Sequence, residues 1–135
     1  MATVNRSTRA GLDANQGKRA PIVSGDVYAG EDLPAAAFCY IKSDGKVYNC
    51  DATAAGETTR LAGVTGAAYK AGEAVTLFGI GTRLRYADSG LTPGAPLYLD
   101  VTANKGGLSN TATTGDAVGV AAAINATDIR VTRNI

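Results

Sequence analysis

The chain has 135 residues, the usual length of one domain, and contains no histidine. A formal net charge of +1 argues against a general nucleic-acid binder, and the lack of histidine removes the commonest general base and the imidazole ligands of zinc sites. The 17 glycines and the many alanines and valines favour short strands joined by tight turns. We therefore predict a single all-β domain: a β-sandwich, a jelly-roll-like fold or a barrel.

The first 20 residues differ in composition from the rest of the chain. They carry four basic residues against one acidic residue, follow neither a strand nor a helix period, and lack the apolar segment of a signal peptide. A solvated terminus and an arm that orders against a partner both fit this composition. We interpret residues 1–20 as a flexible, extended basic N-terminal arm and residues 21–135 as a β-rich domain. The candidate contact residues of the arm are Arg6, Arg9, Lys18 and Arg19.

From Pro21 onward, short apolar or β-branched runs alternate with Gly, Asp, Pro and Ser. Turn signals recur about every ten residues, as in sandwiches and barrels. No apolar run is long enough to cross a bilayer, so we expect a soluble protein made in a cytoplasm. Strands are predicted over residues 22–28, 37–42, 46–50, 61–68, 74–79, 82–87, 96–101, 117–124 and 128–133.

The strongest hairpin signal is Asp44-Gly45, which lies between two alternating segments. A two-residue loop at these structural turn residues would place Cys39 opposite Cys50 as a hydrogen-bonded pair. The Cα atoms of such a pair are about 5.5 Å apart, which admits a disulfide. A reducing cytoplasm favours two small buried thiols instead.

The segment 82–87 alternates cleanly. Thr82, Leu84 and Tyr86 share one face, and Arg83 and Arg85 project from the other. The two arginines are either part of a solvated outer face or a patch that grips an acidic partner. We therefore include Arg83 and Arg85 among the candidate contact residues.

Two stretches of the chain, residues 38–64 and 96–120, resemble each other at a period of about 56–59 residues. Each contains a strand, a turn, a loop rich in Ala and Thr, and a strand with Gly-Val. This echo predicts two similar halves packed about a pseudo-twofold axis.

Motifs for phosphate, dinucleotide or calcium binding do not occur in the sequence. We expect no catalytic residue, no metal site and no cofactor, and a hydrolase that uses carboxylates alone is the enzymatic alternative. The carboxylates are predicted to cap backbone amides in turns, at Asp44, Asp51, Asp88 and Asp116.

A unit of glycine, a small residue and an apolar strand recurs through residues 21–133, because glycine supplies the turn and the small residue lets the next strand pack closely. On this pattern the chain resembles the capsid cement, or head decoration, proteins of tailed bacteriophages. The residues that carry the resemblance are Gly63-Val64, Ala71-Gly72-Glu73-Ala74-Val75-Thr76-Leu77, Gly79, Thr92-Pro93-Gly94-Ala95-Pro96-Leu97-Tyr98-Leu99, Lys105-Gly106-Gly107-Leu108, Val118-Gly119-Val120-Ala121 and Ile129-Arg130-Val131.

The resemblance implies a structural protein on the outer surface of the virion capsid, not an enzyme. Its partner would be the assembled lattice of the major capsid protein, with self-association as a dimer or trimer and no membrane or nucleic-acid partner. Deletion of residues 2–19 is expected to leave a folded domain that binds shells poorly.

Two other functions fit the same composition. A head module that binds host-surface glycans would need an exposed aromatic platform, and the chain has six Tyr, two Phe and no Trp. Composition also does not distinguish a cement protein from a structural protein of the phage tail or connector.

Overall fold

The computed structural model of the protein describes residues 3–12 and 21–134, which form short strands and two 3-10 helices, Glu57–Thr59 and Thr102–Asn104. The prediction of an all-β fold is confirmed. The strands are β1 (Thr3–Val4), β2 (Gly11–Leu12), β3 (Pro21–Val23), β4 (Phe38–Ile41), β5 (Val47–Asn49), β6 (Gly63–Thr65), β7 (Leu77–Phe78), β8 (Arg83–Arg85), β9 (Pro96–Leu99), β10 (Leu108–Ser109), β11 (Ala121–Ala123) and β12 (Asp128–Val131).

The strands form two antiparallel sheets. The seven-stranded sheet has the order β1-β10-β9-β11-β12-β8-β2, and the five-stranded sheet has the order β3-β7-β6-β4-β5. Each of the nine predicted strand regions overlaps an observed strand, and the observed strands are shorter. Strands β1, β2 and β10 were not predicted.

The main hydrophobic core lies between the two sheets. Phe38 and Val64 enter it from the five-stranded sheet, and Leu84, Leu97 and Ile129 enter it from the seven-stranded sheet. All five side chains are at most 2% exposed. Burial of each such side chain contributes roughly 1.5–3 kcal/mol, so this layer joins strands that are too short to hold by hydrogen bonds alone.

The five-stranded sheet has a second core on its other face. Ala37, Cys39 and Val47 project there and pack with Leu33 and Leu77. Strand β4 is therefore buried on both faces, which explains why Phe38, Cys39 and Tyr40 are all buried.

The predicted register of the hairpin was wrong by one residue. Cys39 lies opposite Asn49, and the backbone N–H of Cys50 donates to the carbonyl of Phe38 at 2.8 Å. A one-residue slip moves a side chain to the opposite face of a sheet. Cys39 accordingly lies in the second core, whereas Cys50 lies in the main core.

The loop of this hairpin has three residues and not two, because the Lys42 N–H donates to the Lys46 carbonyl at 2.9 Å. Gly45 has a φ of 84°, whereas Asp44 is not in the left-handed region that a two-residue Asp-Gly loop requires. Asp44 accepts hydrogen bonds from the Lys46 N–H at 2.9 Å and the Tyr48 hydroxyl at 2.8 Å. These two bonds lower the pKa of Asp44 and fix the three-residue loop.

Both cysteines are free thiols. Their burial raises the pKa of Cys39 and of Cys50 well above the ordinary thiol value. The thiolate is the reactive form, so neither side chain is placed for redox or nucleophilic chemistry.

We expect both thiols to be inert toward dithiobis(nitrobenzoate) in the folded protein at mildly alkaline pH. Both should react in concentrated guanidinium chloride, because unfolding exposes them and returns their pKa to the ordinary value. The release of thionitrobenzoate measures this directly. Rapid reaction of the native protein, or release of fewer than two equivalents after unfolding without reductant, would contradict the structure.

Residues 3–12, which the sequence assigned to the arm, form the two outermost strands of the seven-stranded sheet. The Arg6 guanidinium donates to the carbonyl of Gly106 at 2.9 Å and to that of Ala36 at 3.4 Å. It also lies 5.2 Å from the ring centroid of Tyr86. Loss of this segment would remove two strands, so deletion of residues 2–19 is expected to destabilise the domain. The rest of the expected arm, residues 1–2 and 13–20, lies outside the described residues.

Tyr86 joins this N-terminal segment to the main core. Its side chain is fully buried, and its hydroxyl accepts a hydrogen bond from the Leu108 N–H at 2.9 Å. The same hydroxyl lies 3.5 Å from the Val4 carbonyl, to which it can donate. Burial raises the pKa of Tyr86, so the hydroxyl keeps its proton through the neutral range.

The two similar halves predicted from the sequence have the same strand order. In the first half the order is β5-β4-β6-β7, and in the second half it is β10-β9-β11-β12. In both, a hairpin is followed by a strand that pairs on the far side of the first strand. The internal echo in the sequence therefore corresponds to a repeated four-stranded unit.

Substitution Tyr86→Phe is expected to lower the free energy of unfolding by about 1–2 kcal/mol, because it leaves the buried Leu108 N–H without an acceptor. The matched control is Tyr28→Phe, since Tyr28 is 46% exposed. Urea unfolding followed by circular dichroism measures both. Equal stability of the two variants would show that the Tyr86 hydroxyl does not hold the segment.

Candidate functional site

Strand β8 presents its two arginines on the outer side of the seven-stranded sheet. Thr82, Leu84 and Tyr86 are fully buried, whereas Arg83 and Arg85 keep 33% and 29% of their side chains exposed. The predicted alternation is confirmed. The pleat places Arg83 and Arg85 on the face that the main core leaves uncovered.

The neighbouring strand β12 adds a third arginine to this face. Arg130 lies directly opposite Arg83, and Asp128 lies directly opposite Arg85. Arg130 is exposed, and Ile129 between it and Asp128 is fully buried. We call the outer surface formed by Arg83, Arg85 and Arg130 the arginine face.

Two carboxylates accompany the arginine face. Arg83 Nε donates to Asp128 Oδ2 at 2.8 Å, and the Asp128 side chain is 12% exposed. Arg85 Nη2 lies 3.9 Å from Oδ1 of Asp88, whose side chain is 70% exposed. Exposed pairs at such distances contribute little, so the Arg83–Asp128 bond is the one that fixes a side chain.

The row of outer residues that contains Arg83 and Arg130 continues onto β11 and β9, where its members are small or apolar. Ala122 on β11 lies opposite Arg130 and also opposite Pro96 on β9. The outer surface therefore passes from cationic to flat and apolar within one row across the sheet.

The other candidate contact residues lie elsewhere. Arg6 is half-buried and is held by two backbone carbonyls and by the Tyr86 ring, and Arg9 is exposed. Asp44 and Gly45 form the hairpin loop of the five-stranded sheet. Lys18 and Arg19 lie outside the described residues. The structure thus brings Arg83 and Arg85 together with Arg130, which the sequence did not single out.

Asp116 is a buried carboxylate whose partners are all structural. Its side chain is 1% exposed and accepts bonds from the N–H of Leu99 at 2.9 Å and of Gly119 at 2.8 Å. Arg133 Nη2 pairs with it at 3.0 Å. These contacts connect the loop before β11, which contains Asp116, both with β9 and with the C-terminal segment.

The predicted capping role of the turn carboxylates holds at three positions. Asp44, Asp51 and Asp116 accept hydrogen bonds from backbone N–H groups. Asp88 instead accepts from the Ser7 hydroxyl at 2.6 Å. Each of these acids already has a partner that accounts for its position.

Residues 3–12 and 21–134 contain no group of three or more Cys, Asp or Glu side chains placed to hold a metal ion. Neither 3-10 helix in this part of the chain could cross a membrane, since each has three residues.

A cleft of about 400 Å³ opens between the N-terminal segment and the loop before β9. Asn5, Arg6, Asp88 and Asn110 are among its polar lining residues. No aromatic side chain is among the described residues that line it. The cleft therefore lacks the aromatic platform that glycan binding would need.

Comparison of the chain with protein-family models and with the sequences of curated proteins found no match.

Substitution Asp116→Ala is expected to lower the free energy of unfolding by about 2–4 kcal/mol, because the backbone N–H groups of Leu99, Val118 and Gly119 lose their acceptor and Arg133 loses its carboxylate partner. Asp88→Ala is the comparison at an exposed carboxylate, which loses the Ser7 hydroxyl bond and the long contact with Arg85 but no backbone N–H bond, so its expected loss is smaller. Urea unfolding compares the two. A loss at Asp116 no larger than that at Asp88 would contradict the anchoring role.

Proposed function

We propose that the protein is a capsid cement protein of a tailed bacteriophage, which binds the assembled lattice of the major capsid protein and stabilises the head by bridging neighbouring subunits. The observation that carries the proposal is the recurring unit of glycine, small residue and apolar strand over residues 21–133, which resembles that family. The all-β architecture is compatible with this assignment.

The surface geometry suits a binding role. The arginine face and the adjoining Pro96 and Ala122 form the uncovered side of a sheet whose strands are held by a buried core. Such a preorganised surface loses little conformational entropy on binding. We propose this face as the contact with the capsid lattice.

Modest contacts suffice when they are multiplied over a shell. One copy would bury on the order of 800 Å² per partner, and clamping two subunits adds effective concentration. A protein that binds the lattice but not free subunits stabilises the lattice by mass action. No catalytic step, cofactor or metal ion enters this mechanism.

We place the protein on the outer surface of the capsid, with the major capsid protein as its partner. Self-association as a dimer or trimer would match it to two-fold or three-fold positions of the lattice. The number of copies bound per shell at saturation distinguishes these arrangements.

The purified protein is expected to cosediment saturably with expanded, undecorated capsids of the phage that encodes it, and not with unexpanded shells. The double variant Arg83→Gln/Arg85→Gln should bind more weakly, on the order of tenfold, because it removes two cations of the contact face. The matched control is Arg60→Gln/Lys70→Gln, which removes two exposed charges elsewhere.

Thermal unfolding should first establish that each variant is folded. Absence of wild-type binding to either shell would refute the cement function. Equal binding of the two double variants would keep the cement function but place the contact on another surface.

A further inference from the structure

The arginine face contains a pair of like charges at the closest position that a sheet offers. Arg83 and Arg130 are directly opposite each other on adjacent antiparallel strands. The Cβ atoms of such residues are about 4.5–5.5 Å apart, and like charges there destabilise the sheet. Arg85 adds a third guanidinium two residues along the same face.

Carboxylates within the domain neutralise this cluster only in part. Asp128 is bonded to Arg83, and Asp88 lies 3.9 Å from Arg85, so two acids accompany three arginines. Among the described residues Arg130 makes no ion pair, and the contact between Arg85 Nη2 and the exposed Asp88 is long, at 3.9 Å. Donor capacity is therefore left over on two of the three guanidinium groups.

The chemistry of these donors indicates the ligand. A guanidinium group binds a carboxylate through two parallel hydrogen bonds, and a carboxylate between Arg83 and Arg130 would turn their repulsion into attraction. The flat row of Ala122 and Pro96 beside Arg130 suits contact with a protein surface rather than with a phosphate backbone.

We infer that the arginine face docks an acidic protein surface, with partner carboxylates placed between Arg83 and Arg130 and beside Arg85. The inference rests on the proposed function for the identity of that surface as part of the capsid shell. Under this inference Arg130 determines specificity for the acidic partner and lowers the stability of the free domain.

This arrangement makes stability and binding change in opposite directions. Substitution Arg130→Gln removes one of the two facing charges and is expected to raise the thermal midpoint by about 1–3 °C. The same variant should bind expanded shells about tenfold more weakly at low salt, with a smaller difference at high salt. Arg60→Gln, an exposed arginine outside the face, is the matched control and should change neither quantity much.

A probe that does not depend on the shell completes the test. Titration of the wild-type protein with a short polyglutamate peptide, followed by NMR of the arginine Nε–H groups, should shift Arg83, Arg85 and Arg130 more than Arg60. A single-stranded oligonucleotide of similar charge serves as the comparison and should shift them less.

The outcomes separate this inference from the cement function. Shifts at the arginine face together with the opposed effects of Arg130→Gln would support it, and shifts without any binding to shells would support the acidic ligand while refuting the cement role. A lower thermal midpoint for Arg130→Gln, unchanged shell binding, or stronger shifts with the oligonucleotide would overturn it.

Discussion

The central strands β4 and β6 of the five-stranded sheet are buried on both faces, and this constraint organises the rest of the molecule. Strands of two to four residues make few hydrogen bonds, so each must be held by packing on its sides. The second core includes small residues, such as Cys39 on β4 and Ala37 directly before it. The second core covers the outer side of these strands, whereas Arg83, Arg85 and Arg130 stay partly or fully exposed on the outer side of the seven-stranded sheet. The surface that the two cores leave uncovered lies on the outer side of β8, β12, β11 and β9.

A second constraint concerns the charge of Arg6. A guanidinium group that leaves water needs acceptors, and Arg6 finds them in the carbonyls of Ala36 and Gly106 and on the ring of Tyr86. These partners are 30 and 100 residues away for the two carbonyls, so no local pattern around Arg6 reveals them. Composition alone treats such an arginine as an exposed cation. For this reason the sequence analysis assigned residues 3–12 to a separate basic arm.

The turn residues and apolar runs of the sequence predicted most of the strands. The sequence did not predict which strands pair with each other across the chain. Turn residues and β-branched runs located nine strand regions, and the alternation of residues 82–87 placed Arg83 and Arg85 on the correct face. The hairpin register was wrong because Asp-Gly fits both a two-residue loop and a three-residue loop with Gly45 in the left-handed region. Arg130 was missed because the sequence does not say that β12 lies beside β8. A candidate surface built from two strands thus needs the topology as well as the residues.

The charges of the arginine face affect two properties of the protein: how strongly it would bind an acidic partner, and how readily two copies would contact each other through this face. Under the docking inference, the unpaired charge of Arg130 opposite Arg83 raises the free energy of the unbound domain, and a partner carboxylate would lower it in the complex. The gain on binding is larger than the same contact would give if Arg130, like Arg83, already had a carboxylate partner. The repulsion also disfavours contact between two such faces, because like charges would meet. A face of this kind favours a partner of opposite charge over another copy of itself, so any self-association would use a different surface.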